Sequence, residues 1–182
     1  MRLSLSVFVL LAGASVAATA GSLDVNLSRD SIEAKHYSSV GVAEMTVGGL
    51  YNQDQKNWAM NVGLLSTGES YNAGSRLEGG LGGKLYAVSV GNSQVLALGL
   101  GGQFRWFFGS GPIGIGGYAF YAPSVVTTMD GESFREVGVR ADLELVKNSS
   151  LYWGYREVVA KLDNHTQQTV DKGSFVGIQI KF

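Results

Sequence analysis

Apolar and polar residues take turns along most of this chain with a period of two. In the last segment, Val176, Ile178, Ile180 and Phe182 fall on one face, and Phe175, Gly177, Gln179 and Lys181 on the other. In 76–89, Leu77, Leu81, Leu85 and Ala87 oppose Arg76, Glu78, Lys84 and Tyr86. In 94–108, Leu96, Leu98, Leu100, Phe104 and Trp106 oppose Ala97, Gly99, Gly101, Gln103 and Arg105. In 134–145, Val137, Val139, Ala141, Leu143 and Leu145 oppose Glu136, Gly138, Arg140, Asp142 and Glu144. This is the repeat of a sheet with one apolar face. Ten segments read as strands: 22–28, 31–37, 41–52, 56–66, 76–89, 94–108, 112–121, 134–145, 150–162 and 174–182. No segment keeps a helical period for three turns. The two prolines, Pro112 and Pro123, border one strand, where a missing N–H does little harm.

Alternation alone does not say which face meets water. Three features put the apolar face outward, in a membrane. The polar faces carry mid-strand glycines, among them Gly80, Gly82, Gly99, Gly101, Gly138 and Gly177. Glycine weakens a strand, but inside a narrow barrel it leaves room for Arg, Lys and Tyr from other strands. Aromatics gather near strand ends on the apolar faces, at Tyr51, Trp58, Trp106, Phe108, Tyr121, Trp153 and Phe182, as interfacial girdles require. Connections near 38–40, 109–111 and 146–149 read as short, and those at 122–133 and 163–173 as long, which suits short periplasmic turns and longer outer loops. The segment 67–75 is the exception, a longer connection on the periplasmic side. The expected fold is all-β, an antiparallel up-and-down transmembrane β-barrel. The count is eight strands from residue 41 onward, or ten if the hairpin around Ser28 to Ser31 joins the wall.

The front of the chain agrees with that address. Residues 1–20 read as a cleaved signal peptide, with Arg2, a short apolar run and the small-x-small site Ala18-Thr19-Ala20. That run is too short to span a bilayer as a helix. Residues 21–182 are then a single barrel domain in the outer membrane of a Gram-negative cell envelope. The terminal stripe Val176, Ile178, Ile180 and Phe182 is the expected signal to the barrel-assembly machinery, because a closed barrel leaves no frayed edge.

Composition narrows the chemistry. With 14 basic and 15 acidic residues and no basic stripe, nucleic acid is a poor partner. The absence of cysteine excludes disulfides and thiolate chemistry. Two distant histidines offer no metal site, and no cofactor is expected. His36 and Ser38 share a strand face, but no carboxylate is placed to orient the imidazole, so they read as interfacial polar residues. His165 reads as solvated in a polar loop. Gly114-Ile-Gly-Gly-Tyr-Ala119 fits a dinucleotide-binding string only formally, since no helix follows it. No catalytic residue is expected.

The polar faces hold the one constellation of interest. Glu44, Glu78, Lys84, Arg105, Glu136, Arg140, Asp142, Glu144, Arg156 and Lys181 are placed inward. Buried charges of both signs are costly unless paired. They read as a salt-bridged filling, or as the lining of a narrow, weakly selective pore. A two-residue turn at Gly91-Asn92 sets Glu78 opposite Arg105 and Gly82 opposite Gly101. A turn at Asp54-Gln55 sets Tyr51 beside Trp58.

Several stretches point to a known family. They are Gly21-Ser-Leu-Asp-Val-Asn-Leu-Ser28, Gly49-Leu-Tyr-Asn52, Leu81-Gly-Gly-Lys-Leu-Tyr86, Leu96-Ala-Leu-Gly-Leu-Gly-Gly102, Gly116-Gly-Tyr-Ala-Phe-Tyr-Ala-Pro123, Gly154-Tyr-Arg156 and Val176-Gly-Ile-Gln-Ile-Lys-Phe182. In their order and spacing the chain resembles the YfaZ-like family of small outer-membrane β-barrel proteins. The resemblance implies the location and the fold, and brings no catalytic residues. The expected role is structural or surface-interacting, carried by 122–133 and 163–173. The rivals are a porin-like diffusion channel and a lipid-modifying enzyme. The expected partners of a monomer are outer-membrane lipid and lipopolysaccharide, with the barrel-assembly machinery during biogenesis.

Overall fold

The computed structural model describes residues 21–72 and 74–182. The signal-peptide reading of 1–20 lies outside the described residues. Eleven antiparallel strands follow in order: β1 Gly21–Ser28, β2 Ser31–Val40, β3 Ala43–Asn52, β4 Trp58–Asn72, β5 Ser75–Val90, β6 Ser93–Phe107, β7 Ile113–Ala122, β8 Thr127–Met129, β9 Gly131–Val146, β10 Ser149–Leu162 and β11 Gln167–Lys181. A 3-10 turn, Ser124–Val126, precedes β8. Ten strands form the wall in the order β5-β4-β3-β2-β1-β11-β10-β9-β7-β6, and β6 returns to β5. The barrel is closed, and the N-terminal hairpin is part of it. β7 is short, so β8 continues the wall beside Val95, Leu96 and Ala97 of β6.

Turn chemistry sets the register. Gly91 takes a left-handed φ of 58°, which suits a tight hairpin. Glu78 then pairs with Arg105, and Gly82 with Gly101. Tyr51 pairs with Trp58. The seam joins Leu23 to Ile180 and Val25 to Ile178, and Gly21 exchanges both backbone hydrogen bonds with Phe182 at 2.9 Å. The end of the barrel that carries this pair is called proximal, the other distal.

Three expectations change. The segment 163–173 is mostly strand, and only residues 163–166 form the connection between β10 and β11. The segment 122–133 holds a 3-10 turn and β8 in place of an open loop. The supposed connection 67–75 is hairpin: β4 runs to Asn72 and β5 starts at Ser75. The stretches 67–75 and 163–173 are mostly polar on both faces, and 122–133 does not alternate, so hydropathy does not mark them as strands. β3 stops pairing at Ser66, so residues 67–72 of β4 have a neighbour only in β5.

The outward face is a broad apolar belt that includes Val47, Val62, Leu64, Leu81, Leu85, Leu100, Ile115, Val139 and Val176. Tyr51 and Tyr121 stand on its distal side. Trp106, Phe108 and Phe182 stand on its proximal side, with the Trp106 and Phe108 rings 4.8 Å apart. Trp153 is outward and exposed on β10. Val176, Ile178, Ile180 and Phe182 form one outward stripe along β11 and its end.

Candidate functional site

The inward residues divide the lumen into two parts. The distal part is apolar. Leu50, Ala59, Leu65, Val88, Val90, Val95, Ala97, Phe120, Phe134, Val158, Leu162 and Val170 are buried in one cluster. This departs from an interior filled throughout by charges. Asn52 and Asn57 tie the distal mouth: Asn52 Nδ2 donates to Asp171 at 3.2 Å, Asn57 Nδ2 to the Thr169 carbonyl at 3.2 Å, and Gly91 N–H to Asn57 Oδ1 at 3.0 Å. Outside this mouth, the distal face carries charged clusters. Glu157 pairs with Arg135 at 2.9 Å and Lys172 at 2.8 Å. On the rim, Glu132 pairs with Lys161 at 2.6 Å and His165 at 2.7 Å. The hydrogen bonds from Lys161 and His165 hold the Glu132 carboxyl below its usual range.

Below the apolar part lies a layer of buried charge. Arg156 on β10 is fully buried and reaches across to β1, β2 and β11. It donates to Glu33 at 2.8 Å, Asp171 at 2.5 Å, Asn26 at 2.6 Å and Ser31 at 2.8 Å. Glu33 also pairs with Lys35 at 2.9 Å. Lys35 continues to Glu136 at 3.5 Å, and Tyr86 donates its hydroxyl to Glu136 at 2.6 Å. Lys84 stands 3.8 Å from the same carboxylate. The guanidinium satisfies four acceptors at once, which fits its planar fork of donors.

The proximal part is lined by a second charge network and is open. Glu78 collects Arg105 at 2.8 Å, Arg76 at 3.1 Å and Lys181 at 3.7 Å. Arg76 also binds Glu144. Arg105 donates to Gln179 at 2.6 Å. Arg140 pairs with Asp142 at 2.5 Å and Asp24 at 3.2 Å, and stacks 3.6 Å over the Tyr152 ring, whose hydroxyl donates to Asp24. Glu44 accepts from Gln103 at 3.1 Å. Asp24, Glu44, Glu78, Arg105, Arg140 and Lys181 line a cavity of about 560 Å³ that also borders Gly21, Ser39, Thr67 and Phe182.

All ten charged residues placed inward from the sequence line this interior. Glu78, Arg105, Glu144 and Lys181 meet in the proximal network, Arg140 and Asp142 form a pair beside it, Glu136 and Lys84 meet in the buried layer, Arg156 joins that layer through Glu33, and Glu44 stands apart. Asp24, Glu33, Lys35 and Asp171 are also buried in the interior and are not among those ten. The first three alternate with Leu23, Val25, Ile32 and Ala34 in short segments, a signal that was present but weak. Asp171 falls in the stretch read as a loop.

The candidate His–Ser pair is not joined. His36 stacks on Phe182, with centroids 6.1 Å apart, and its buried Nε2 has no hydrogen-bond partner among the described residues. Among the described residues, no cluster of three or more His, Asp or Glu is arranged to hold a metal ion. No curated protein matches the chain. A family model does: the one described as YfaZ precursor matches residues 1–182, and the chain belongs to that family.

Proposed function

We propose that the protein is an outer-membrane β-barrel of a Gram-negative envelope, closed to solute flow, with a structural and surface-interacting role. The observation that carries this reading is the pairing of an outward apolar belt with a lumen sealed by apolar side chains at one end. An exposed apolar surface of that extent has no place in water, whereas a bilayer covers it. Ring aromatics beside the belt suit the two interfaces. The precursor description of the family and the closed barrel are compatible with this location. In this orientation the proximal end faces the periplasm.

The distal surface is where contact with other molecules would be made. Arg135, Lys161 and Lys172 stand near the outer interface, within reach of the phosphates of lipopolysaccharide. Val125 and Met129 add an apolar spot, the former 85% exposed. The sealed lumen argues against the channel reading, because ions do not pass an apolar plug of packed side chains without its dewetting barrier being lifted. The refolded, heat-modifiable protein should therefore give a silent planar bilayer. Discrete, reproducible conductance steps would replace this reading with the porin-like channel.

The stripe Val176, Ile178, Ile180 and Phe182 is the proposed contact for the barrel-assembly machinery. Deletion of Phe182 should remove most of the folded protein from the outer membrane while leaving its synthesis unchanged. An unaltered folded level would remove Phe182 from that role.

A further inference from the structure

We propose that the proximal cup binds a small zwitterion, a short peptide, with its carboxylate on Lys84 and its ammonium toward Glu44. The cup, at about 560 Å³, lies within the range of small-molecule pockets. Most charges that line it are already matched. Lys35 holds Glu33, Arg105 and Lys181 hold Glu78, and Arg140 holds Asp24 and Asp142. Two are not.

Lys84 is 3% exposed and lines the cup. Its one carboxylate contact within 4 Å among the described residues is Glu136 Oε2 at 3.8 Å, beyond hydrogen-bond reach. Glu136 is already taken by Lys35 and the Tyr86 hydroxyl. The ammonium lies 4.0 Å over the Phe120 ring, which supplies attraction but no acceptor. A buried ammonium has three donors to satisfy, and leaving them unmade is costly. Glu44 is the opposite case. It is half-buried, accepts only from Gln103, and has no cation within 4 Å among the described residues.

Their placement is complementary. Glu44 pairs with Leu65 and Lys84 with Gly63, so they flank β4 two residues apart in its register. Strand spacing and rise put their Cα atoms about 12 Å apart. Side chains reaching inward from those positions leave a gap that a di- or tripeptide spans at about 3.5 Å per residue. A simple anion would answer Lys84 and leave Glu44 unmatched. A zwitterion answers both and adds no net charge. The Tyr37 and Tyr118 rings, also on the cup wall, offer contact for the ligand's apolar parts.

This inference does not rest on the membrane reading, since the cup and its charges belong to the folded barrel in detergent. The test uses the full mature chain, refolded in detergent, titrated with dialanine and followed by calorimetry. Saturable binding is expected. Lys84→Met and Glu44→Gln should each weaken it by at least about tenfold, the loss of one hydrogen bond to a charged group. Glu132→Gln, on the distal rim and outside the cup, should leave it unchanged, and heat modifiability shows that each variant is folded. N-acetyl-dialanine amide should not bind. The proposal is overturned by no saturable binding, by equal binding to Lys84→Met, or by equal binding to Glu44→Gln. Equal binding of N-acetyl-dialanine, an anion alone, would overturn the zwitterion assignment.

Discussion

Replacing Arg156 with methionine is expected to cost about 3–5 kcal/mol of folding stability, a large part of the 5–15 kcal/mol or so that holds a typical domain together. The side chain is fully buried, so no solvent screens what it leaves behind. Glu33 and Asp171 would lose their guanidinium contacts at 2.8 and 2.5 Å, and Asn26 and Ser31 would lose a donor. Glu33 keeps Lys35 and Asp171 keeps Asn52, so the damage falls mainly on the unpaired second carboxylate. Urea unfolding of the refolded protein, read by heat modifiability, measures the effect. The double variant Arg156→Met, Asp171→Leu should regain most of the loss, because it removes the carboxylate left without a cation while Glu33 keeps Lys35 at 2.9 Å. A double variant as unstable as the single one would show that Arg156 acts through packing and not through this charge.

The second large effect is expected at Gly101. Gly101 pairs with Gly82 on β5, and their outer neighbours in the row are Leu65 on β4 and Phe120 on β7. A Cβ at Gly101 would fall on the Ala119 carbonyl oxygen and 2.7 Å from the Phe120 Cα. A Cβ at Gly82 would fall on the Leu64 carbonyl oxygen. Both obstacles are backbone atoms of the neighbouring strand, so no rotamer change relieves them. Gly101→Ala should cost about 3 kcal/mol or more, at the upper end of overpacking effects. The yield of folded barrel should fall with it. Gly49→Ala is the control, since a Cβ there meets nothing within 4 Å. Alanine should be neutral at Gly49 or should stabilise by up to about 1 kcal/mol. Equal losses at Gly49 and Gly101 would show that glycine is needed for general strand flexibility and not for this close approach.

The registers of β5 against β6 and of β3 against β4 were legible because each hairpin has a compact turn flanked by strong alternation. The charged interior was legible for the same reason, since a period of two sends Glu136, Arg140, Asp142 and Glu144 to one face. The apolar plug was not. In Ala87-Val88-Ser89-Val90 the valines point inward and Ser89 outward, so hydropathy favours the wrong face. Where the lumen itself is apolar, the contrast between faces that a reader relies on disappears. Strand ends were hidden by the opposite effect. Gln167, Gln168, Asp171 and Lys172 lie beyond the apolar belt, where the outward face is polar too, and so they read as loop. The cup followed from neither pattern, because it depends on which charges find partners across the barrel, and that is set by closure.

Three of the five connections at the distal end are short, Arg29-Asp30 between β1 and β2, Gly91-Asn92 between β5 and β6, and residues 163–166 between β10 and β11, while residues 53–57 join β3 to β4 and residues 123–130 join β7 to β9. In a barrel that enters a bilayer from the periplasm, these turns are the cargo that each hairpin must drag through hydrocarbon. In the first of them Arg29 and Asp30 lie 3.9 Å apart with opposite signs. The lumen that follows them first is the apolar one, while the ion pairs of Arg140, Arg105 and Glu78 trail at the rear. The distal charges that lead, Glu157 with Arg135 and Lys172 and Glu132 with Lys161, travel as matched pairs, whereas the lumenal ones are desolvated later, when neighbouring strands already surround them. Arg140–Asp24 and Arg156–Glu33 join β9 and β10 to β1 and β2 across the β1–β11 seam, so closing that seam is the step in which these ion pairs are made.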